Sequence, residues 1–153
     1  MKSCLLLGSN LGDREALLTE AQVLIGRDCG QIVKASKIYE TEPWGFYSLT
    51  TFLNQALLID TLLSPEILLV RCLAIETHLG RERQMFSIET YCSRKIDIDI
   101  LFYESLICQT PDLSLPHPRL HLRKFVLEPL ADVAPDWRHP ALGLTVGEML
   151  KRL

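Results

Sequence analysis

Ile96-Asp97-Ile98-Asp99-Ile100-Leu101-Phe102 is the strongest strand signal in the chain, and it carries two carboxylates inside an apolar run. Side chains alternate along a strand, so Ile96, Ile98 and Ile100 point to one face while Asp97 and Asp99 point to the other. Backbone rise sets the two aspartates roughly 7 Å apart. Like charges on a packed sheet need compensation. Two readings are open at this point: a polar face meeting water, or a divalent metal. Hard oxygen donors without Cys or His in the stretch suit magnesium, which takes one or two carboxylates together with phosphate oxygens and water. D-x-D is a short and common string, and alone it weighs as much for water as for metal.

Outward from this strand, the preceding elements read strand, helix, strand, strand, helix. Cys4-Leu5-Leu6-Leu7 is an apolar run that stops at the turn-rich Gly8-Ser9-Asn10-Leu11-Gly12-Asp13, a strand entering a loop. Asp13 can cap a helix with Leu17, Ala21, Leu24 and Ile25 at helical spacing, and Gly26 or Gly30 supplies its stop. A strand is expected over 31–39, with Ile32, Ile38 and Tyr39 among its apolar positions. Residues 40–48 hold Pro, Gly and three aromatics without a period, which predicts an ordered surface loop. The alternation over 52–60 predicts a further strand. Ser64-Pro65-Glu66 opens a second helix with an N-cap serine, proline at the first position and an acid in the first turn. Leu68, Cys72, Ile75 and Leu79 mark its buried face and Gly80 its end.

No period survives over 81–95, and so long a loop in a compact domain marks a lid or binding segment. After 102 the chain is irregular and proline-punctuated, with a short helix expected at 125–131. The order is the split β-α-β pattern. It predicts one α+β, ferredoxin-like βαββαβ domain over 1–153, with an antiparallel sheet, both helices on one face, and long active-site loops and the C-terminal segment over the other.

Composition narrows the function. With 48% hydrophobic and 23% charged residues the chain is globular, and a formal net charge of -3 gives no global support for binding a nucleic-acid backbone. An anionic ligand must then be met by local arginines. Arg94 stands three residues before Asp97, and Arg81 and Arg83 open the same loop. Any one of them alone reads as a solvated charge, but beside a diacid they describe a polyphosphate site. No G-x-x-x-x-G-K-[ST] string occurs, so a P-loop is excluded. His117, held between Pro116 and Pro118, reads as a structural hydrogen-bond partner or as a phosphate donor supported by Arg119 and Arg123. Phe52 and Phe125 are core candidates, or an aromatic pair for a flat heteroaromatic ring with Asn54 beside it. Five cysteines (Cys4, Cys29, Cys72, Cys92, Cys108) show no C-x-x-C spacing, so reduced thiols in a cytosol are expected. The N-terminus has too few apolar residues for a signal h-region, and no run approaches a membrane span.

Six ordered motifs then carry a family resemblance. Gly8-Ser9-Asn10-Leu11-Gly12-Asp13, Tyr39-Glu40-Thr41-Glu42-Pro43-Trp44-Gly45, Phe52-Leu53-Asn54, Leu79-Gly80-Arg81-Glu82-Arg83, Arg94-Lys95-Ile96-Asp97-Ile98-Asp99-Ile100 and Leu115-Pro116-His117-Pro118-Arg119 closely resemble the 6-hydroxymethyl-7,8-dihydropterin pyrophosphokinases of folate biosynthesis. The resemblance continues through Arg123-Lys124-Phe125-Val126-Leu127 and Ala134-Pro135-Asp136-Trp137, covering nearly the whole chain. It implies transfer of the diphosphoryl unit of ATP to the pterin hydroxymethyl group, leaving AMP, with Asp97 and Asp99 binding two magnesium ions. It further implies Arg81 and Arg94 on the moving diphosphoryl group, and Arg83, His117 and Arg123 on phosphate or nucleotide. Glu76 and Ile100 would line the nucleotide pocket. For the pterin, the resemblance implies stacking between Phe52 and Phe125, with Asn54 and the Thr41, Pro43, Trp44 and Gly45 segment reading the ring edge. ATP and the pterin are the implied partners of a cytoplasmic monomer, with no nucleic acid and no membrane.

Two departures from the family pattern stand out. Tyr91-Cys92-Ser93 replaces a Trp-Gly-Pro common before the loop arginine, and Pro118 replaces an aromatic after the histidine. Two other function classes compete. A non-catalytic small-molecule sensor on the same sheet would bind ligand without forming AMP. A single-stranded RNA binder needs an RNP1-like aromatic string and a basic surface, and the sequence has neither.

Overall fold

β1 (Lys2–Ser9) is the strand around which the sheet is built. The computed structural model describes residues 1–10, 12–42, 51–80 and 96–153. On one side β1 pairs antiparallel with β4 (Phe52–Asp60), from Lys2 opposite Asp60 to Ser9 opposite Leu53. On the other it pairs antiparallel with β5 (Asp97–Tyr103), from Ser3 opposite Tyr103 to Gly8 opposite Asp97. β2 (Gln31–Ala35) and β3 (Tyr39–Thr41) both lie along β4, giving the order β2-β4-β1-β5 with β3 beside β4. With α1 (Arg14–Asp28) after β1 and α2 (Pro65–His78) after β4, this is the ferredoxin-like arrangement expected from the element order.

Since β1 is buried from Ser3 to Ser9, both faces of the sheet must be covered. Leu5, Leu7, Leu57, Ile59, Ile98 and Ile100 pack on one face against Leu18 and Ile25 of α1 and Leu68, Cys72 and Ile75 of α2. Cys4, Leu6, Ala56 and Phe102 face the other way, beneath α3 (Lys124–Val133) and α4 (Val146–Lys151). Trp137 stacks on Phe102 at 5.5 Å between ring centroids. α1 and α2 thus share one face, and the C-terminal segment covers part of the second.

The caps follow the local sequence. The Asp13 carboxylate accepts from the Ala16 N–H at 3.1 Å, and the Ser64 hydroxyl accepts from the Ile67 N–H at 3.3 Å ahead of Pro65. α1 ends at Asp28, before Gly30. A Cβ at Gly30 would run into the Asp60 carbonyl oxygen and the Thr61 Cα, so glycine is required there by the close passage of the chain leaving β4.

Other expectations need correcting. The strand expected over 31–39 is two strands, because Ser36 interrupts the ladder. Its hydroxyl accepts from the Ala56 N–H at 2.9 Å, in place of a backbone carbonyl, while its own N–H donates to the Ala56 carbonyl. Glu40 and Thr41, expected in a loop, pair within β3 with Leu53 and Phe52. β1 does not stop at Gly8 but continues to Ser9. α4 has no counterpart among the expected elements, although Thr145 and Glu148 form the reciprocal capping box that announces it. The region after β5 contains a short hairpin, β6 (Cys108–Gln109) with β7 (Ser114–Leu115). Cys4, Cys29, Cys72 and Cys108 are free thiols, and Cys92 lies outside the described residues.

Candidate active site

At the Gly8 end, the face that carries α3 opens into a cavity of about 290 Å³. Gly8 helps to make it. A Cβ there would stand 3.4 Å from Asn54 Oδ1 and 3.9 Å from Phe52 Cδ1, so the missing side chain leaves space for both neighbours on β4. Across β1, Asp97 lies opposite Gly8 and Asp99 opposite Leu6, and both carboxylates line the cavity. The pairing register shifts between Cys4 and Leu5, so Cys4 faces Phe102 while Leu5 faces Ile100. This bulge sets Leu101 out of step, and Phe102 joins the packed end of the face while the aspartates stay at the open end.

Thr41, Phe52, Asn54 and Phe125 line the same cavity. Asn54 is buried, and its Nδ2 donates to Thr41 Oγ1 at 2.7 Å, which fixes the plane of the amide. Phe52 and Phe125 are half-buried. Arg123 completes the wall, its guanidinium 5.6 Å from the Phe125 ring centroid, within reach of a cation–π contact.

A second cavity of about 260 Å³ lies along the outer edge of β5. Ile98, Asp99 and Ile100 form one wall, and His117, Pro118 and the 110–114 turn of the hairpin form the other. Asp99 therefore borders both cavities. The His117 N–H donates to the Leu101 carbonyl at 2.9 Å. Its Nδ1 lies 2.9 Å from the Pro118 carbonyl oxygen; a carbonyl can only accept, so the proton sits on Nδ1. A protonated ring would present Nε2–H to an anion as well.

Glu76 is buried, and its carboxylate accepts from the Ile98 N–H at 2.7 Å. It does not line either cavity, and it meets the groove through the backbone of β5. Ile100 lines that groove directly. Arg123 lies on the Phe125 side rather than with His117. Arg81, Arg83, Arg94, Pro43, Trp44 and Gly45 lie outside the described residues. Among the described residues no group of three or more His, Cys, Asp and Glu could enclose a metal. The site offers two carboxylates and open space beside them.

Gly8, Leu6 and Glu42 also line the first cavity, and Leu69, Thr110, Pro111, Asp112, Leu113 and Ser114 the second. Sequence reasoning missed these. A glycine inside a strand marks a close approach by another group, and Pro111-Asp112 is a turn signal, so both regions carried a readable trace.

Comparison with known proteins converges on one family. A family model for 7,8-dihydro-6-hydroxymethylpterin-pyrophosphokinase (HPPK) matches residues 4–135. A 2-amino-4-hydroxy-6-hydroxymethyldihydropteridine pyrophosphokinase of Porphyromonas gingivalis is 46% identical over 135 residues, covering 88% of this chain and 90% of its own. One of Bacillus subtilis is 41% identical over 128 residues, covering 83% and 74%. The fold is similar to that of a Plasmodium falciparum HPPK-DHPS crystal structure solved with pteroate, at a TM-score of 0.73 and 18% identity. That alignment covers 99% of this chain but 42% of the longer one, so the chain spans less than half of that protein.

Proposed function

We propose, for a chain that belongs to the 7,8-dihydro-6-hydroxymethylpterin-pyrophosphokinase family, a division of labour among its residues. The protein transfers the diphosphoryl group of ATP to the hydroxymethyl group of 6-hydroxymethyl-7,8-dihydropterin, a step of folate biosynthesis. The cavity framed by Thr41, Phe52, Asn54 and Phe125 takes the pterin, and the groove along Ile98, Asp99 and Ile100 takes ATP. The observation that carries this assignment is that Asp99 borders both spaces. A carboxylate at that junction can face the acceptor hydroxyl and the triphosphate at once.

In this reading Phe52 and Phe125 hold the flat ring between aromatic faces. Asn54, its plane fixed by Thr41, matches the ring's hydrogen-bonding edge, and an analogue lacking that edge would leave a buried amide without its match. β5 is a sheet edge, so alternate backbone groups face away from β1. The Ile98 N–H is turned outward to Glu76, and Ile100, two residues on, presents its backbone in the same direction, where a planar base can be read. His117 and Arg123 meet phosphate oxygens, with Arg81, Arg83 and Arg94 supplying further positive charge to the moving group. Pro43, Trp44 and Gly45 would read the ring edge, as the family resemblance implies.

Two carboxylates on one strand, with no third acidic or imidazole ligand among the described residues, would suit magnesium, a hard cation for which one or two protein carboxylates suffice. Magnesium held there would supply charge neutralisation at phosphate oxygens and would make a hydroxyl easier to deprotonate. Asp97 and Asp99 would hold it, and the pleat of β5 keeps both on the cavity side. The reading includes a cytosolic monomer, for which the free thiols at Cys4, Cys29 and Cys72 are the supporting observation on compartment.

The test is AMP release from ATP in the presence of 6-hydroxymethyl-7,8-dihydropterin across a magnesium series. Pterin-dependent AMP that vanishes without magnesium is the expected result. No AMP above the pterin-free control at any magnesium level would reject the assignment.

A further inference from the structure

Arg14 is the first residue of α1, where the helix dipole disfavours a cation. A residue that contradicts its local preference invites a search for what it does at longer range. Its Nη1 donates to the Thr51 carbonyl at 2.9 Å and to Thr51 Oγ1 at 3.0 Å, and lies 3.4 Å from Glu40 Oε2. The Thr51 hydroxyl in turn donates to Glu40 Oε2 at 2.7 Å. That hydrogen bond, followed by the charge of Arg14, holds the Glu40 carboxyl below the usual carboxylate range.

The partners are well placed to matter. Glu40 precedes Thr41, whose hydroxyl receives the Asn54 amide, and Thr51 precedes Phe52. Within β3, Tyr39 pairs with Asn54 and Thr41 with Phe52. The other side of β3 is tied to α3, where Tyr39 Oη donates to the Asp132 carboxylate at 2.9 Å, and α3 carries Phe125 near its start. Tyr39 thus ties β3 to the helix that carries Phe125, while Glu40 and Thr41 tie it to β4 beside Phe52 and at Asn54.

We propose that Arg14, acting through Glu40 and Thr51, is a positioning residue for the acceptor subsite that sets the spacing between Thr41 on β3 and the Phe52 and Asn54 side chains on β4. It does not line the cavity and touches no substrate in this reading. The proposal rests on the assignment of that cavity to the pterin. Arg14 is partly exposed and Glu40 is 59% exposed, so the link adds little to global stability. Its effect is local, on how well the amide and ring are registered for the acceptor.

The experiment compares Arg14→Met, Arg14→Lys, Thr51→Val and Asn54→Ala by steady-state kinetics in pterin and in ATP, with thermal melts. For Arg14→Met the KM for pterin rises by roughly fivefold, about the ceiling for so exposed a link, while the KM for ATP and the melting temperature stay at wild type. Arg14→Lys recovers most of the loss, and Thr51→Val gives a smaller rise in the same direction. Adding Glu40→Gln to Arg14→Met brings little further change, because both act on one link. An unchanged pterin KM in Arg14→Met and Thr51→Val, alongside a raised one in Asn54→Ala, overturns the positioning role and leaves the cavity assignment standing. Equal rises for ATP and pterin also overturn it. An unchanged pterin KM in Asn54→Ala overturns the cavity assignment and this proposal with it.

Discussion

The face of the sheet beneath α3 and α4 has two ends that the same strands treat in opposite ways. At one end β1 contributes Cys4, β4 contributes Ala56 and β5 contributes Phe102, and the helices bury them, with Leu6 at the boundary between packed core and cavity. At the other, β1 contributes Gly8, β4 contributes Asn54 and Phe52, and β5 contributes Asp99 and Asp97, around open space. The strands and the face are shared and only the bulge between Cys4 and Leu5 separates the ends, so most of the difference lies in side-chain volume and polarity. A site can be made on a packed sheet by emptying one position and charging its neighbours while the far end holds the strands in place. Damage to the open end should therefore cost activity, and damage to the packed end should cost stability.

The sharpest way to break that contrast is to remove the diacid. Asp97→Ala and Asp99→Ala are each expected to lower AMP formation by about 10³-fold or more with the melting temperature held, as read by coupled assay and circular dichroism. Loss of a cooperative melt would show that the ends are not separable. Next in size are two substitutions that divide the open end itself. Asn54→Ala should raise the KM for pterin by about tenfold and leave that for ATP, whereas His117→Ala should raise the KM for ATP several-fold and leave that for pterin.

The packed end offers the opposite test. His139 accepts from the Ala141 and Leu142 N–H groups at Nδ1, both at 3.1 Å, and sits edge-on to Phe102. Burial, and then the neighbouring His121, hold its imidazole below the usual histidine pKa. The unfolded chain therefore takes up a proton first. This contribution to stability is complete above the unfolded value near 6.5 and is lost as pH falls through it toward the folded value. Melting temperature should drop between pH 7.5 and 5.5, and His139→Gln should flatten that slope. The smallest effect is expected from Thr145→Ala, which opens the capping box of α4 and should lower the melting temperature by about 2–4 °C with both KM values unchanged.

Legibility from sequence followed the range of the interactions involved. The caps at Asp13 and Ser64, the helical spacings and the two faces of 96–102 are local or strictly periodic, and each could be read in advance. Ser36 could not, since nothing in a strand-like run says that a hydroxyl will take a backbone carbonyl's place in the ladder. From sequence Gly8 reads as the start of a turn, because its role depends on Asn54 and Phe52, 46 and 44 positions away. The aspartates were legible as a pair. That Asp99 borders two cavities was not, because one of them is walled by a hairpin whose strands are two residues each.

The Glu76 carboxylate on the Ile98 N–H has a further consequence. An exposed sheet edge is a template on which a foreign chain can grow as an additional strand. Here a buried acid occupies one outward donor of β5, and the His117 N–H occupies the Leu101 carbonyl three residues on. A polypeptide cannot zip along an edge blocked at both of these points. A small planar molecule would need only the short interval at Ile100, so the same two contacts that close the edge to an added strand leave a short open stretch between them.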